Sequence, residues 1–202
     1  MANVDKPCGL KPVRYLNGSP WNGKVTMYYK TAASNAIYKG TPVIHGGTTA
    51  TDGITPTCDI LASSGKGGMV GVAVGFSNSR YLAADVTDLS RAYCPASTAM
   101  YVAVVDDANV LFEIQEDNAV PDWIEAADVG QYFSIASHSG GSTSTGLSSA
   151  ELDSGGNTGT EASGAVQLMG LVDRVDNVMG SSAYYAKWLV RMGTHAYNVV
   201  AV

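Results

Sequence analysis

From Val25 onward the chain is built of short apolar runs, each of strand length and each ended within a few residues by Gly, Asn, Asp or Ser. That punctuation leaves little room for long helices. The runs are VTMYYK (25–30), AIYKGTPVIHG (36–46), GMVGVAVGF (68–76), RYLAAD (80–85) and TAMYVAVVD (98–106). NVLFEIQED (109–117), GQYFSIAS (130–137), GAVQLMGLV (164–172) and AYYAKWLVRM (183–192) follow. β-Branched and aromatic side chains dominate inside them, the types that fit a pleated and half-buried surface. The pattern predicts an all-β fold, a small barrel or sandwich of about ten short strands.

Two runs carry sharper expectations. In 98–117, Val102, Val104, Leu111 and Ile114 flank the polar loop Asp106-Asp107-Ala108-Asn109, which suits a β-hairpin. Phe112 and Ile114 alternate with Glu113 and Gln115, so the second strand is expected to have a dry face and a wet one. In 183–192, Tyr184, Trp188 and Met192 are spaced for one helical face. Alternation explains more of that run, with Tyr184, Ala186, Trp188, Val190 and Met192 opposed to Lys187 and Arg191, and predicts a strand. A helical turn is expected only near 121–129, opened by Pro121.

Two segments fit neither period. KPCGLKPVRYLNGSPWNGK (6–24) mixes Pro, Gly, basic and aromatic residues, and is read as part of an extended, non-regular arm (1–24) ahead of a β domain (25–202). Its Tyr15 and Trp21 are costly to leave in water, so the arm is expected to lie on another surface. Residues 138–164 are mostly Gly, Ser and Thr, and are read as a long, partly mobile surface loop with a short turn at SSAELD.

A chain of 202 residues can bury a sizeable core without disulfides or metal. Cys8, Cys58 and Cys94 are odd in number, far apart and lack CxxC spacing, as free thiols of a reducing compartment would be. No apolar run has the length of a signal peptide core or a membrane span, so synthesis in a cytoplasm and no membrane partner are expected. The net charge is -6, unevenly spread. Residues 1–30 carry five basic side chains against Asp5 alone, a balance of +4; residues 85–176 carry fifteen acids against Arg91 and Arg174, a balance of -13. So acidic a middle is a poor nucleic-acid surface. A basic arm and an acidic body suit each other across a subunit boundary.

Motifs for chemistry are sparse. SSGKGG (63–68) fails as a phosphate loop, because Ile60 stands where the first Gly belongs and Gly67 follows Lys66. His45, His138 and His195 show no metal-ligand spacing, and no Ser lies in a GxSxG elbow. Asp153, Asn157 and Glu161 are spaced like calcium ligands but lack a calcium-loop signature. Asp106/Asp107 and Glu116/Asp117 read as solvated turn residues. No catalytic residue, cofactor or metal is expected.

Several stretches, taken in order, resemble a family of tailed-bacteriophage head decoration, or capsid cement, proteins. Met1–Asn3, the Pro7-to-Arg14 stretch PCGLKPVR and the Asn17-Gly18 turn resemble the family's opening. AIYKGTPVI (36–44) resembles its Ile-Tyr-x-Gly-Asp-Pro-Val strand, with Thr41 where Asp is usual. GVAVGFSN (71–78) and MYVAVVDDANVLFEIQED (100–117) resemble its central strands, and TGLSSAELD (145–153) a later loop. The resemblance implies a virion structural protein on the outer surface of an assembled head shell, bound to the major capsid protein, often as an oligomer near local symmetry axes. It implies no catalytic residues. On this reading Pro7, Leu10, Pro12, Val13, Arg14, Tyr15 and Trp21 clasp the capsid or a sister subunit, with a trimer expected first and a dimer second. A glycan-binding adhesin acting through 138–164 and a β-rich hydrolase are the competing readings.

Overall fold

Alternation along five strands turns Tyr28, Val43, Cys58, Phe76, Val102 and Val104 toward one another, and their burial closes the strands into a barrel. The computed structural model describes residues 3–32, 35–61, 68–80, 91–119, 122–157, 164–180 and 184–197. The barrel strands are β2 (Thr26–Lys30), β4 (Pro42–Thr49), β5 (Pro56–Ile60), β6 (Gly71–Ser77) and β8 (Met100–Val105), in the order β2-β5-β4-β6-β8. All neighbours are antiparallel except β2 and β5. A ribbon of β3 (Ile37–Tyr38) and β7 (Tyr93–Cys94) adjoins β6, with the Tyr38 and Tyr93 rings stacked at 5.1 Å.

The second unit is an antiparallel sheet ordered β1-β9-β13-β12-β10-β11. Its strands are β1 (Lys11–Tyr15), β9 (Val110–Gln115), β10 (Tyr132–Ala136), β11 (Glu151–Asn157), β12 (Val166–Leu171) and β13 (Lys187–Met192). The sheet curls until β11 meets the end of β9: Glu116 bridges Leu152, and the Asp117 N–H donates to the Leu152 carbonyl at 3.0 Å. Phe112, Ile114, Phe133, Ile135, Trp188 and Val190 fill the enclosed space. Leu61, Met69, Val72 and Val105 leave the barrel on its outer side and join this same core, so the two units share a buried apolar seam.

The all-β expectation holds, with strands at every expected run that lies in the described residues. RYLAAD falls outside them beyond Arg80, as does SSGKGG apart from Gly68. The alternation expected in 183–192 is observed from Ala186 on, with Ala186, Trp188, Val190 and Met192 buried on one face, whereas Tyr184 lies ahead of the strand and is half-buried. In the described part of 121–129 a short 3-10 turn forms at Ala126–Asp128, while Pro121, expected to open it, lies outside the described residues.

Four expectations are corrected. β8 and β9 are not a hairpin; the loop at 106–109 is a corner where the chain passes from the barrel to the curled sheet. β9 has no wet face, since Glu113 and Gln115 are as buried as Phe112 and Ile114. The described residues of the 138–164 segment are not a free loop. They supply β11, and their first half is fixed by hydrogen bonds between Lys39 and both Gly146 and Ser148. Small residues make that packing possible: a Cβ on Gly141 would lie 2.3 Å from the Tyr38 ring. Finally, the expected arm over 1–24 is, in its described residues 3–24, not separate, because β1 pairs with β9 through Lys11↔Glu113, Pro12↔Phe112, Arg14↔Leu111 and Tyr15↔Val110.

Candidate interaction surface

The segment entering β1 is held by shape. Gly9 (φ +68°) and Gly40 (φ +89°) face each other so closely that a Cβ on Gly9 would lie 2.5 Å from the Gly40 carbonyl oxygen. A Cβ on Gly40 would meet the Cys8 carbonyl oxygen at the same distance. Both backbones also occupy the left-handed region that glycine adopts freely. This close pass lets the Leu10 N–H donate to Gly40 at 3.0 Å and drives the Leu10 side chain into the core, where it is 1% exposed.

The expected clasp residues therefore divide. Leu10 is interior and unavailable to any partner. Tyr15 and Trp21 are half-buried and pack against the chain's own core, with the Tyr15 hydroxyl donating to Asn22 at 2.8 Å. The Trp21 Nε1 is buried and has no hydrogen-bond partner among the described residues. Pro7 and Pro12 are half-buried, while Val13 and Arg14 remain at the surface. Val13 sits at a bulge in the β1–β9 register, and its carbonyl accepts from the Trp21 N–H, so residues 19–21 fold over the outer edge of β1. Such a covered edge resists strand addition by another chain.

Upstream of Gly9 the chain crosses the outer face of the curled sheet and dries it. Gln115 accepts from the Lys6 backbone N–H at 3.0 Å and donates to Asp5 and Glu151 at 3.1 and 3.0 Å. Glu113 is paired with Arg174. The polar pattern of β9 is thus satisfied by protein rather than by water. Burial raises the pKa of the Glu151 carboxyl and of the Cys8 thiol above their ordinary ranges.

Beyond Lys6 the chain meets the loop between β12 and β13. The Asn3 side chain donates to the Val178 carbonyl at 2.8 Å and accepts from its N–H at 3.0 Å. The buried Asn177 anchors the loop base, donating to Val172 and Lys187 carbonyls and accepting from the Lys187 N–H, each at 2.8 Å. Between strap and loop lies a cavity of about 240 Å³, walled by Asn3, Val4, Lys6, Arg174, Asp176, Asn177, Tyr185 and Lys187.

The fold brings no catalytic set together among the described residues. Asp59, His138 and Ser139 line one cavity, but the His138 Nδ1 is bound to the Ile135 carbonyl at 3.0 Å and Asp59 accepts from the Ile60 N–H at 2.8 Å. No hydroxyl or carboxylate among the described residues is hydrogen-bonded to the imidazole there, so these residues do not assemble the relay a nucleophilic serine needs. His45 and His195 both approach the Tyr197 ring, at 6.4 and 5.5 Å, and His195 is engaged by the Asp106 carbonyl and the Tyr197 N–H. No cluster of three or more His, Cys, Asp or Glu side chains suited to a metal occurs among the described residues. Asp153 accepts from Ser134 and Asn157 donates to Gln131, while Glu161 lies outside the described residues. Asp107 is a turn residue as expected, accepting from the Asn109 N–H, but Glu116 is not; it is 2% exposed and bonded to Trp188. The sequence hid this because Glu116 continues the inward alternation of Phe112 and Ile114 past the strand's end.

Comparison with protein-family models, with curated proteins and with solved structures gives no match.

Proposed function

We propose that this chain is a capsid decoration protein that binds the outer surface of a phage head and stabilises it by bridging major capsid subunits. The observation that carries this reading is the set of family-like stretches running in order from Met1 to Asp153. Two of them meet in space, since Gly9 belongs to the opening stretch and Gly40 to the Ile-Tyr-x-Gly strand. Each of those glycines leaves no room for a side chain on the other's segment, so the two stretches depend on one another.

The mechanism follows from mass action. A protein that binds only the assembled shell stabilises that state, and many copies with modest contacts add up against internal pressure. With Leu10 inside the core and Tyr15 and Trp21 half-buried, contact falls to the exposed parts of the N-terminal region, Val13 and Arg14 among them, and to neighbouring loops. Self-association, as a trimer before a dimer, belongs to the same reading. Purified protein added to shells lacking it should bind in regular copy number and raise the temperature at which they rupture. A chain that neither occupies shells nor changes their heat resistance is not a cement protein.

A further inference from the structure

We propose that Asn22 is a modification site: it deamidates spontaneously in the folded chain, and its isoaspartate product unfastens the turn that covers the outer edge of β1. The site is independent of the capsid reading and stands out against two otherwise similar turns of the same chain.

Asn or Asp is followed by glycine at Asn17-Gly18, Asn22-Gly23 and Asp52-Gly53. All six residues are exposed, and the glycines have φ of +87°, +82° and +67°. With no Cβ in the way, a glycine nitrogen can approach the side chain before it. The two asparagines are nearly matched. The Asn17 Oδ1 accepts from the Ser19 N–H and hydroxyl at 3.0 and 2.7 Å. The Asn22 Oδ1 accepts from the Lys24 N–H and the Tyr15 hydroxyl at 3.2 and 2.8 Å. Each amide oxygen thus has one backbone and one hydroxyl donor, which draw electrons from Cγ and stabilise charge forming on the oxygen during attack. The nitrogens differ. The Gly18 N–H donates to the Tyr15 carbonyl at 2.9 Å and the Gly53 N–H to the Ala50 carbonyl at 3.0 Å, whereas the Gly23 N–H has no acceptor among the described residues.

The reaction needs only water and hydroxide. Hydroxide takes the Gly23 N–H proton, the nitrogen attacks Asn22 Cγ, and an N–Cγ bond forms as the Cγ–Nδ2 bond breaks and ammonia leaves. Water then opens the cyclic imide at one of its two carbonyls. Cleavage of the N–Cγ bond leaves aspartate; cleavage at the backbone carbonyl leaves isoaspartate, with the chain running through Cβ and Cγ. A hydrogen-bonded N–H must surrender its acceptor before it is deprotonated, so Asn17 is protected and Asn22 is not. Asp52 is doubly protected, since hydrogen bonds from the Thr55 hydroxyl and from the Thr55 and Ile54 N–H groups hold its carboxyl down at about 2, and an ionised carboxylate resists attack. Isoaspartate at position 22 lengthens the backbone and removes the side-chain oxygen that ties Tyr15 to Lys24. That tie closes the turn in which Pro20 bridges Arg14 and the Trp21 N–H donates to Val13, over the edge of β1.

Peptide mass spectrometry on the intact folded chain, incubated at pH 8, tests this, with an isoaspartate-specific methyltransferase as a second readout. Deamidation at Asn22 should outpace that at Asn17 by about tenfold, the factor for one hydrogen bond given up. In urea, where both turns are lost, the two rates should converge. Hydrogen exchange at the Trp21 amide should quicken by several fold in the isoaspartate fraction. Equal rates in the folded chain, a faster Asn17, or an Asn22 that converts only in urea would each overturn the proposal. A difference that persists in urea would overturn it too, by placing the cause in the flanking sequence rather than in the fold. Unchanged exchange at Trp21 in the converted fraction would overturn the unfastening of the turn.

Discussion

The indole Nε1 of Trp188 donates to Oε2 of Glu116 at 2.8 Å, so the largest fully buried side chain of the curled sheet and a carboxyl that is 2% exposed hold each other. Burial pushes the Glu116 carboxyl up to about 7, outweighing the indole bond that acts in the opposite direction. A folded-state value above the unfolded one means that the folded chain binds the proton more tightly. The stability this contributes is full at pH 4 and is lost as pH rises through 7. The unfolding free energy from denaturant titration should therefore fall between pH 5 and 8, by on the order of 2 kcal/mol. E116Q, which stays neutral, should flatten that slope and exceed the parent at pH 8; an unchanged slope would assign the pH dependence to other groups.

The Gly9–Gly40 contact predicts a graded result for alanine. G9A and G40A each put a Cβ 2.5 Å from a carbonyl oxygen, at a positive φ, and should cost at least about 2 kcal/mol. G18A serves as the control, because Gly18 has φ +87° and nothing within 4 Å of the new atom. Its cost should stay near 1 kcal/mol, that of the backbone conformation alone. Urea unfolding of the three variants decides this.

Trp21 separates a partner-facing role from a structural one. It packs on the chain's own core with an unsatisfied buried N–H, so W21F should change stability by less than about 1 kcal/mol while W21A loses about 2–4. If W21A leaves the isolated protein's melting unchanged but abolishes shell binding, the indole acts on a neighbour instead.

Lys30 is 0% exposed, and its ammonium donates to the carbonyls of Thr31, Pro95 and Thr98 at 3.4, 3.1 and 3.0 Å. Those three acceptors use all the donors it has. K30M removes the ammonium that these three carbonyls share in a buried site and should destabilise by roughly 3 kcal/mol. Hydrogen exchange should quicken around 95–98 before it does so in the curled sheet.

The thiols give a simpler check. Burial, with Asp59 adding to it, pushes Cys58 up to about 12, and burial raises Cys94 as well. A disulfide reagent applied to the native protein should label Cys8 slowly and reach Cys58 and Cys94 only on unfolding, as read by peptide mass spectrometry.

The fold class was legible because strand-length apolar runs and turn residues report local geometry directly. What escaped depended on partners distant in sequence. Glu113 and Gln115 carry the same alternation whether water or Arg174 and Lys6 cover them, so the pattern could not reveal which. β8 shows burial on both faces because Val102 and Val104 face the barrel interior while Val105 faces the second core, and nothing local says that β9 will join another sheet. β11 is made of Glu, Leu, Asp, Ser, Gly and Asn, with strand character supplied by β10 and by the space its small residues leave. Of the candidate surface, the N-terminal aromatics and Arg14 stood out by residue type alone. The cavity of Lys6, Arg174 and Lys187 joins the N-terminal stretch to the ends of the β12–β13 loop and has no signature along the chain.

The pairing of β1 with β9 also sets an order of events during synthesis. Lys11 and Glu113 are roughly 100 residues apart, a long-range closure that local structure does not assist. Leu10 shares its core with Trp188 and Met192, made later still. On the ribosome, Cys8 to Trp21 must wait with its aromatic side chains uncovered at least until β9 emerges, and Leu10 waits for β13. The glycine pass at Gly9 and Gly40 can form well before that, and would tether the waiting segment close to its final seat.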